Sequence, residues 1–203
     1  VDPTDIDIAL VANPSPGALQ GLPGLRFVQS LWAGVERLLA DPTLPPGLTL
    51  ARLADPAMNE AMAQTALWAV LSLHRGYFIY QRRQREHRWQ PHAQRRADEV
   101  PVAVLGLGQM GAAVATRLAA NGYPVTGWST RTADIAGVDC RQGDAALAAV
   151  LAGAQVVVNL LPLTPATRGL FDAARLAQLP RGASLVNLAR GAHLVDADLL
   201  AAL

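Results

Sequence analysis

Lysine is missing from this chain: the sequence carries 17 Lys plus Arg residues, and every one of them is arginine. A lysine Schiff base, a lysine general base and a P-loop lysine are therefore excluded from these 203 residues. Cysteine is almost missing too. Cys140 stands alone, so no intramolecular disulfide forms, no thiolate cluster is available to a metal, and a reducing cytoplasm is the expected setting. Charge of one sign is lacking, because 17 basic residues face 16 acidic ones and the formal net charge is +1. That balance argues against a nucleic-acid partner. No run reaches the roughly 18 uncharged apolar residues of a membrane span, and no signal-peptide pattern is visible, so no membrane partner is expected. An initiator methionine is also lacking. The chain opens on Val1 and stops at Leu203 inside a helical pattern that starts near Asp196, so both ends read as cut. What is abundant is apolar sequence, 51% hydrophobic with a mean hydropathy of +0.21, enough for one large or two small cores.

One segment concentrates the information. Val102-Ala103-Val104-Leu105 is a short apolar run leading into Gly106-Leu107-Gly108-Gln109-Met110-Gly111, and alanine-rich helical sequence follows at once. Three glycines alone would fit an ordinary turn. Between a strand and a helix they form the dinucleotide-binding fingerprint. Gly106 would turn the chain off the strand, Gly108 would let the backbone approach a pyrophosphate, and Gly111 would let the helix pack against the strand. The helix N-terminus, with its unpaired N–H groups and positive dipole end, would face the phosphates.

About 20 residues past such a fingerprint, an NAD site places Asp or Glu on the adenosine ribose. Here the next strand, from Tyr123 to Trp128, runs into Ser129-Thr130-Arg131-Thr132 with no acid. A carboxylate would repel a 2′-phosphate, whereas the Ser129 hydroxyl and the Arg131 guanidinium would bind it. The expected cofactor is NADP(H) in preference to NAD(H).

Along the rest of the chain, short apolar runs alternate with helical or turn sequence. Strands are expected near 6–12, 25–31, 48–53, 102–105, 124–128, 137–141, 156–161 and 184–188. One long helix is expected from Pro56 to Trp89, apolar in its first half and arginine-rich in its second. With its interleaved aromatics that stretch could be a nucleic-acid or membrane face, but a dimer or domain contact is the expected role, with a homodimer the expected assembly. The repeated strand–helix units predict an α/β fold with a Rossmann-type, doubly wound parallel sheet. Asn159, inside an apolar strand, reads as a satisfied core amide. No metal site is expected.

Two later segments carry a family resemblance. They are Leu161-Pro162-Leu163-Thr164-Pro165-Ala166-Thr167-Arg168-Gly169-Leu170, and Leu179 through Asp196 with Asn187-Leu188-Ala189-Arg190-Gly191 at its centre. With the fingerprint, with Ser30-Leu31-Trp32-Ala33-Gly34-Val35-Glu36 and with the long helix, they make the chain resemble the D-isomer-specific 2-hydroxyacid dehydrogenases. The likeness is greatest to the glyoxylate/hydroxypyruvate reductase A branch, which favours NADPH. The resemblance implies a partial flavodoxin-like substrate domain at 1–98 and an NADP-binding Rossmann domain at 99–203 that lacks its last strand. It implies hydride transfer between the nicotinamide and a small 2-keto or 2-hydroxy acid.

By the same resemblance Arg190 is the catalytic arginine and also binds substrate. An arginine just past the C-terminal end of a parallel strand points into the ligand crevice. There it can hold a 2-keto acid's carboxylate and carbonyl, and stabilise negative charge growing on the carbonyl oxygen. The resemblance further implies that Gln109 and Met110 offer backbone N–H groups to the pyrophosphate. Leu161, Pro162, Thr167 and Ala189 would line the cofactor's path, and Trp32, Ala33 and Gly34 would hold the substrate carboxylate. Trp32 departs from the pattern of this branch, in which glycine is common at that position. The family's general acid is a His in a Pro-His pair beyond the arginine segment. His74, His87, His92 and His193 are not in that context, so this stretch alone is expected to be nearly inactive, and His193 is expected to be a packing histidine. Two other readings compete. A β-hydroxyacid dehydrogenase shares the glycine fingerprint, but it carries that fingerprint near its N-terminus and uses a catalytic lysine. A non-catalytic NADP(H)-binding protein could be built on the same fold.

Overall fold

The computed structural model describes residues 2–203, which form two compact units that part between Asp55 and Pro56. The first unit is a small parallel sheet of β1 (Ile8–Val11), β2 (Phe27–Ser30) and β3 (Thr49–Ala51), in that order. Its core is Val11, Leu19, Leu25, Val28 and Leu38, the last from the one-turn helix α1 (Glu36–Leu39). On β1, Ile8 and Leu10 lie two residues apart, hence on one face, and both stay exposed.

The second unit opens with α2 (Pro56–His74) and α3 (Tyr77–Arg85). The single helix expected over 56–89 is therefore corrected to two, with irregular chain after Arg85. Gly76 makes the break. Its φ of +69° is left-handed backbone that ends α2 and starts α3 in a new direction. Although the expected domain boundary lay at 98/99, α2 packs with the second unit. Ala63, Ala66 and Val70 share a core with Val114, Ala115 and Leu118 of α4 (Gln109–Ala120), and the small alanines bring the helices close.

The sheet of this unit contains β4 (Val102–Leu105), β5 (Val125–Ser129), β6 (Asp139–Gln142), β7 (Val156–Asn159) and β8 (Ser184–Asn187). Its order is β6-β5-β4-β7-β8, and every pairing is parallel. Alternate residues of β4 face opposite layers. Val102 and Val104 meet α2 and α4, while Ala103 and Leu105 meet Leu147, Val150 and Leu151 of α5 (Asp144–Gly153). Val156 and Val158 of β7 face the first layer and Val157 the second. Helices on both faces explain why both strands are wholly apolar except for Asn159. α6 (Ala173–Leu176) and α7 (Asp196–Ala202) complete the unit. The doubly wound Rossmann-type sheet is thus present. After β6 the chain crosses back to the other side of β4, and the switch point between β4 and β7 is where open α/β sheets bind ligands.

Candidate active site

The glycine turn sits at that switch point. Gly106 has φ +95°, and a Cβ there would lie 2.9 Å from the backbone carbon and oxygen of Leu160. Only glycine lets the loop after β4 lie this close to the loop after β7. Its N–H donates to Trp128 O at 2.8 Å, which ties the turn to the end of β5 as well. At Gly111 a Cβ would fall 1.6 Å from Gly106 O, so α4 reaches the strand only with glycine in its first turn. Gly108 differs. It is exposed, and a Cβ there would meet nothing within 4 Å. It is the N-cap of α4, with no side chain capping the helix. The first helical bond runs from Ala112 N–H to Gly108 O at 2.8 Å, so the N–H groups of Gln109, Met110 and Gly111 have no intrahelical acceptor. This open, uncapped N-terminus fits a pyrophosphate.

The end of β5 and the Thr130-Arg131-Thr132 stretch that follows it carry no acid; the first one in the loop is Asp134. Ser129 is half-buried, and its hydroxyl donates to Arg131 O. Arg131 is exposed and takes part in none of the ion pairs among the described residues. Gly127, one of β5's central residues, matters for another reason. A Cβ there would lie 2.7 Å from Leu107 Cδ2, so this glycine makes the room that seats the fingerprint's Leu107 on the sheet.

The loops after β7 and β8 are joined by a buried polar cluster. Asn159 and Asn187 end their strands directly opposite each other. Asn159 Nδ2–H donates to Asn187 Oδ1 at 3.0 Å, and Leu161 N–H donates to Asn159 Oδ1 at 3.2 Å. Asn187 Oδ1 also accepts from Ala189 N–H at 3.2 Å, while its amide donates to Arg190 O at 2.9 Å. Asn159 is therefore a satisfied core amide, as expected, and the amide pair shapes the turn that presents Arg190. That residue is exposed, with Nη1 donating to Ala189 O at 3.0 Å. Thr167 is buried. Its hydroxyl donates to Pro162 O at 2.7 Å and accepts from Thr164 N–H at 2.8 Å, which closes the 162–167 loop on itself.

His193 is fully buried beside Asn159, Arg190 and Pro162, which suits a packing residue rather than an acid facing substrate. His74 is likewise engaged, by Tyr123 OH and Arg95 O at 2.8 Å each. Burial raises the Tyr123 pKa. In the first unit, the Ser30 hydroxyl accepts from Trp32 N–H at 3.1 Å and Arg52 donates to Ala33 O at 3.2 Å. These bonds hold the Trp32-Ala33-Gly34 loop past the end of β2 with the indole half exposed. Sequence reasoning missed Gly127, Asn187 and His193 as parts of the site's scaffold. Among the described residues no group of three or more His, Cys, Asp or Glu could hold a metal, and no helix is long and apolar enough to cross a membrane.

Comparison with known proteins bears on this geometry. Residues 67–203 match the model of the D-isomer specific 2-hydroxyacid dehydrogenase NAD binding domain. The chain is 40% identical to glyoxylate/hydroxypyruvate reductase A of Serratia proteamaculans, a match that covers all of this chain and 66% of that protein. A D-isomer specific 2-hydroxyacid dehydrogenase of Xanthobacter autotrophicus, solved with NADPH and MES, superposes with a TM-score of 0.96 at 46% identity. That match covers all of this chain and 64% of the other. An NADPH-dependent glyoxylate/hydroxypyruvate reductase of Sinorhizobium meliloti, solved with NADP and sulfate, superposes with a TM-score of 0.92 at 36% identity, covering 98% of this chain and 64% of that one. The chain thus spans about two thirds of the length of the relatives it matches. With the family model matched over more than half its residues, and with the glycine turn, switch point and Arg190 segment on one sheet, the chain belongs to the D-isomer specific 2-hydroxyacid dehydrogenase family.

Proposed function

We propose that this chain serves NADPH-dependent reduction of small 2-keto acids, glyoxylate and hydroxypyruvate among them, to 2-hydroxy acids. One observation carries the reading: the C-terminal edge of a single sheet holds an uncapped helix N-terminus, a β5 end with Ser129 and Arg131 in place of an acid, and the Arg190 turn. The relatives' names point the same way.

In this reading Gly106, Gly108 and Gly111 shape the pyrophosphate cradle, and the N–H groups of Gln109 and Met110 hold the phosphates. Ser129 and Arg131 take the 2′-phosphate, so NADP(H) is preferred to NAD(H). Leu161, Pro162, Thr167 and Ala189 line the path of the dinucleotide, which supplies the hydride when bound. Arg190 holds the keto acid's carboxylate, orients its carbonyl and stabilises the negative charge that develops on the oxygen. The backbone of Trp32, Ala33 and Gly34 is assigned to the substrate carboxylate, and residues 1–98 and 99–203 to the substrate and cofactor domains. A second copy of the chain is the proposed partner of α2 and α3, where Trp68, Tyr77 and Phe78 are about half exposed or more. The lone, half-buried Cys140 fits a cytoplasmic location.

The test is loss of NADPH absorbance with glyoxylate or hydroxypyruvate in the full-length protein, beside the Arg190→Gln variant. Both acids should accelerate NADPH oxidation, and the variant should lose about 10²–10³-fold in kcat/KM. Binding of NADPH without turnover of either acid would favour the non-catalytic alternative. An unchanged Arg190→Gln variant would remove the arginine from the mechanism.

A further inference from the structure

His193 is the one fully buried titratable side chain of the second unit's sheet edge, and the proposed chemistry leaves it unused. Its ring lies between two loops that carry assigned groups. Nε2 is 3.3 Å from Pro162 O, in the loop after β7. Nδ1 is 3.3 Å from Arg190 N and 3.2 Å from Asn159 Nδ2. It is also 3.0 Å from Arg190 O.

The donor and acceptor roles follow from the neighbours. A carbonyl oxygen only accepts, so Nε2 must carry the hydrogen that meets Pro162 O. A backbone N–H and an amide NH2 group only donate, so Nδ1 must present its lone pair to Arg190 N–H and Asn159 Nδ2–H. Arg190 O needs nothing from the ring. It already accepts from Asn187 Nδ2 at 2.9 Å and from His193 N–H at 3.1 Å. Of the two neutral tautomers, Nε2–H gives a partner to Pro162 O and, through a shared Nδ1 lone pair, to Arg190 N–H and the Asn159 amide, whereas Nδ1–H gives one only to Arg190 O.

We propose that His193 is a positioning residue that locks the Pro162 loop and the Arg190 turn to one another through a fixed Nε2–H tautomer. This rests on the reductase reading, in which Pro162 lies on the cofactor path and Arg190 on the substrate. Its two nitrogens then serve two different ligands. Nε2 bears on the cofactor side alone, through Pro162, and Nδ1 bears chiefly on the substrate side, through Arg190, with the Asn159 amide as its second partner. A histidine that merely filled space would not divide its effects in that way.

Asparagine and glutamine separate the two arms. Asn places an acceptor near the Nδ1 position and nothing near Nε2, whereas Gln places a donor near Nε2 and no acceptor near Nδ1. The experiment measures NADPH binding by fluorescence in the full-length protein. It then measures binding of oxamate, a non-reacting 2-keto acid analogue, to the NADPH complex. His193→Asn should weaken NADPH about tenfold, the size of one lost buried hydrogen bond, with oxamate affinity changed less than about threefold. His193→Gln should do the reverse. Equal losses at both ligands in both variants, or no loss in either, would overturn the division of labour. A tautomer measurement on the parent protein needs no variant. Long-range ¹⁵N–¹H correlation spectra should show His193 protonated at Nε2 alone, and an Nδ1–H pattern would overturn the lock. A parent protein that binds neither NADPH nor oxamate would instead defeat the reductase reading and the positioning role with it, while the spectra would still decide the hydrogen-bond assignment.

Discussion

The two sheets follow opposite plans. In the second unit, β4 and β7 are buried at every residue, because α2 and α4 cover one face and α5 the other. In the first, β1 buries Val11 but leaves Ile8 and Leu10 exposed by 56% and 69%. Both are parallel sheets of similar sequence character, so apolar residues in a strand say little about what covers them. The site's scaffold follows the difference. The loops after β4, β7 and β8 are held by close backbone contact and by buried amides, whereas the Trp32 loop of the first unit is held by one hydroxyl, one arginine and a backbone bond. Rigid elements covered on both faces are the ones that can hold a reacting group in place.

The largest expected effect comes from Gly111→Ala. Its Cβ cannot share space with Gly106 O, so α4 must leave the strand. A loss above about 4 kcal/mol, read as failure to fold or a collapsed melting temperature, is expected. Next is Leu105→Ala, which empties a fully buried position between β4 and α5 and should cost about 2–5 kcal/mol by chemical denaturation.

Tyr123 gives a smaller, pH-dependent effect. Burial raises its pKa above the ordinary 10.0, so the unfolded chain gives up this proton first. The contribution to stability is present in full below pH 10.0 and is lost as the pH rises from there through the folded-state pKa. Tyr123→Phe should flatten the alkaline limb of the stability curve while losing the bond to His74. The smallest effect is Leu10→Thr in the first sheet, within about 0.5 kcal/mol of the parent. A cost comparable to that of Leu105→Ala would mean that β1 is covered as β4 is, and the contrast between the sheets would fail.

Much of the second unit was legible in the sequence. The apolar run 102–105, the glycine spacing and the alanine-rich stretch gave β4, the turn and α4 to within a residue, because each carries a local physical constraint. The doubly wound parallel sheet followed from repeated strand–helix units, whereas the switch point needed the strand order. Gly76 was legible only as a helix-breaking residue type, and its left-handed backbone decided the break that the continuous helical pattern concealed. The role of Gly127 depends on where Leu107 comes to rest, and the pairing of Asn159 with Asn187 depends on the register of β7 and β8. His193 lies three residues past Arg190 in plain view, but nothing local announces that its ring turns inward to meet Pro162. Such contacts are made by the assembled sheet edge, not by any one segment.

The most direct measurement is a pair of fluorescence titrations of the full-length protein with NADPH and with NADH. With no acid at the end of β5 and Arg131 exposed beside Ser129, NADPH should bind at least about tenfold more tightly. NADH binding as tightly as NADPH, or neither binding at all, would contradict the assignment of this sheet edge to NADP(H).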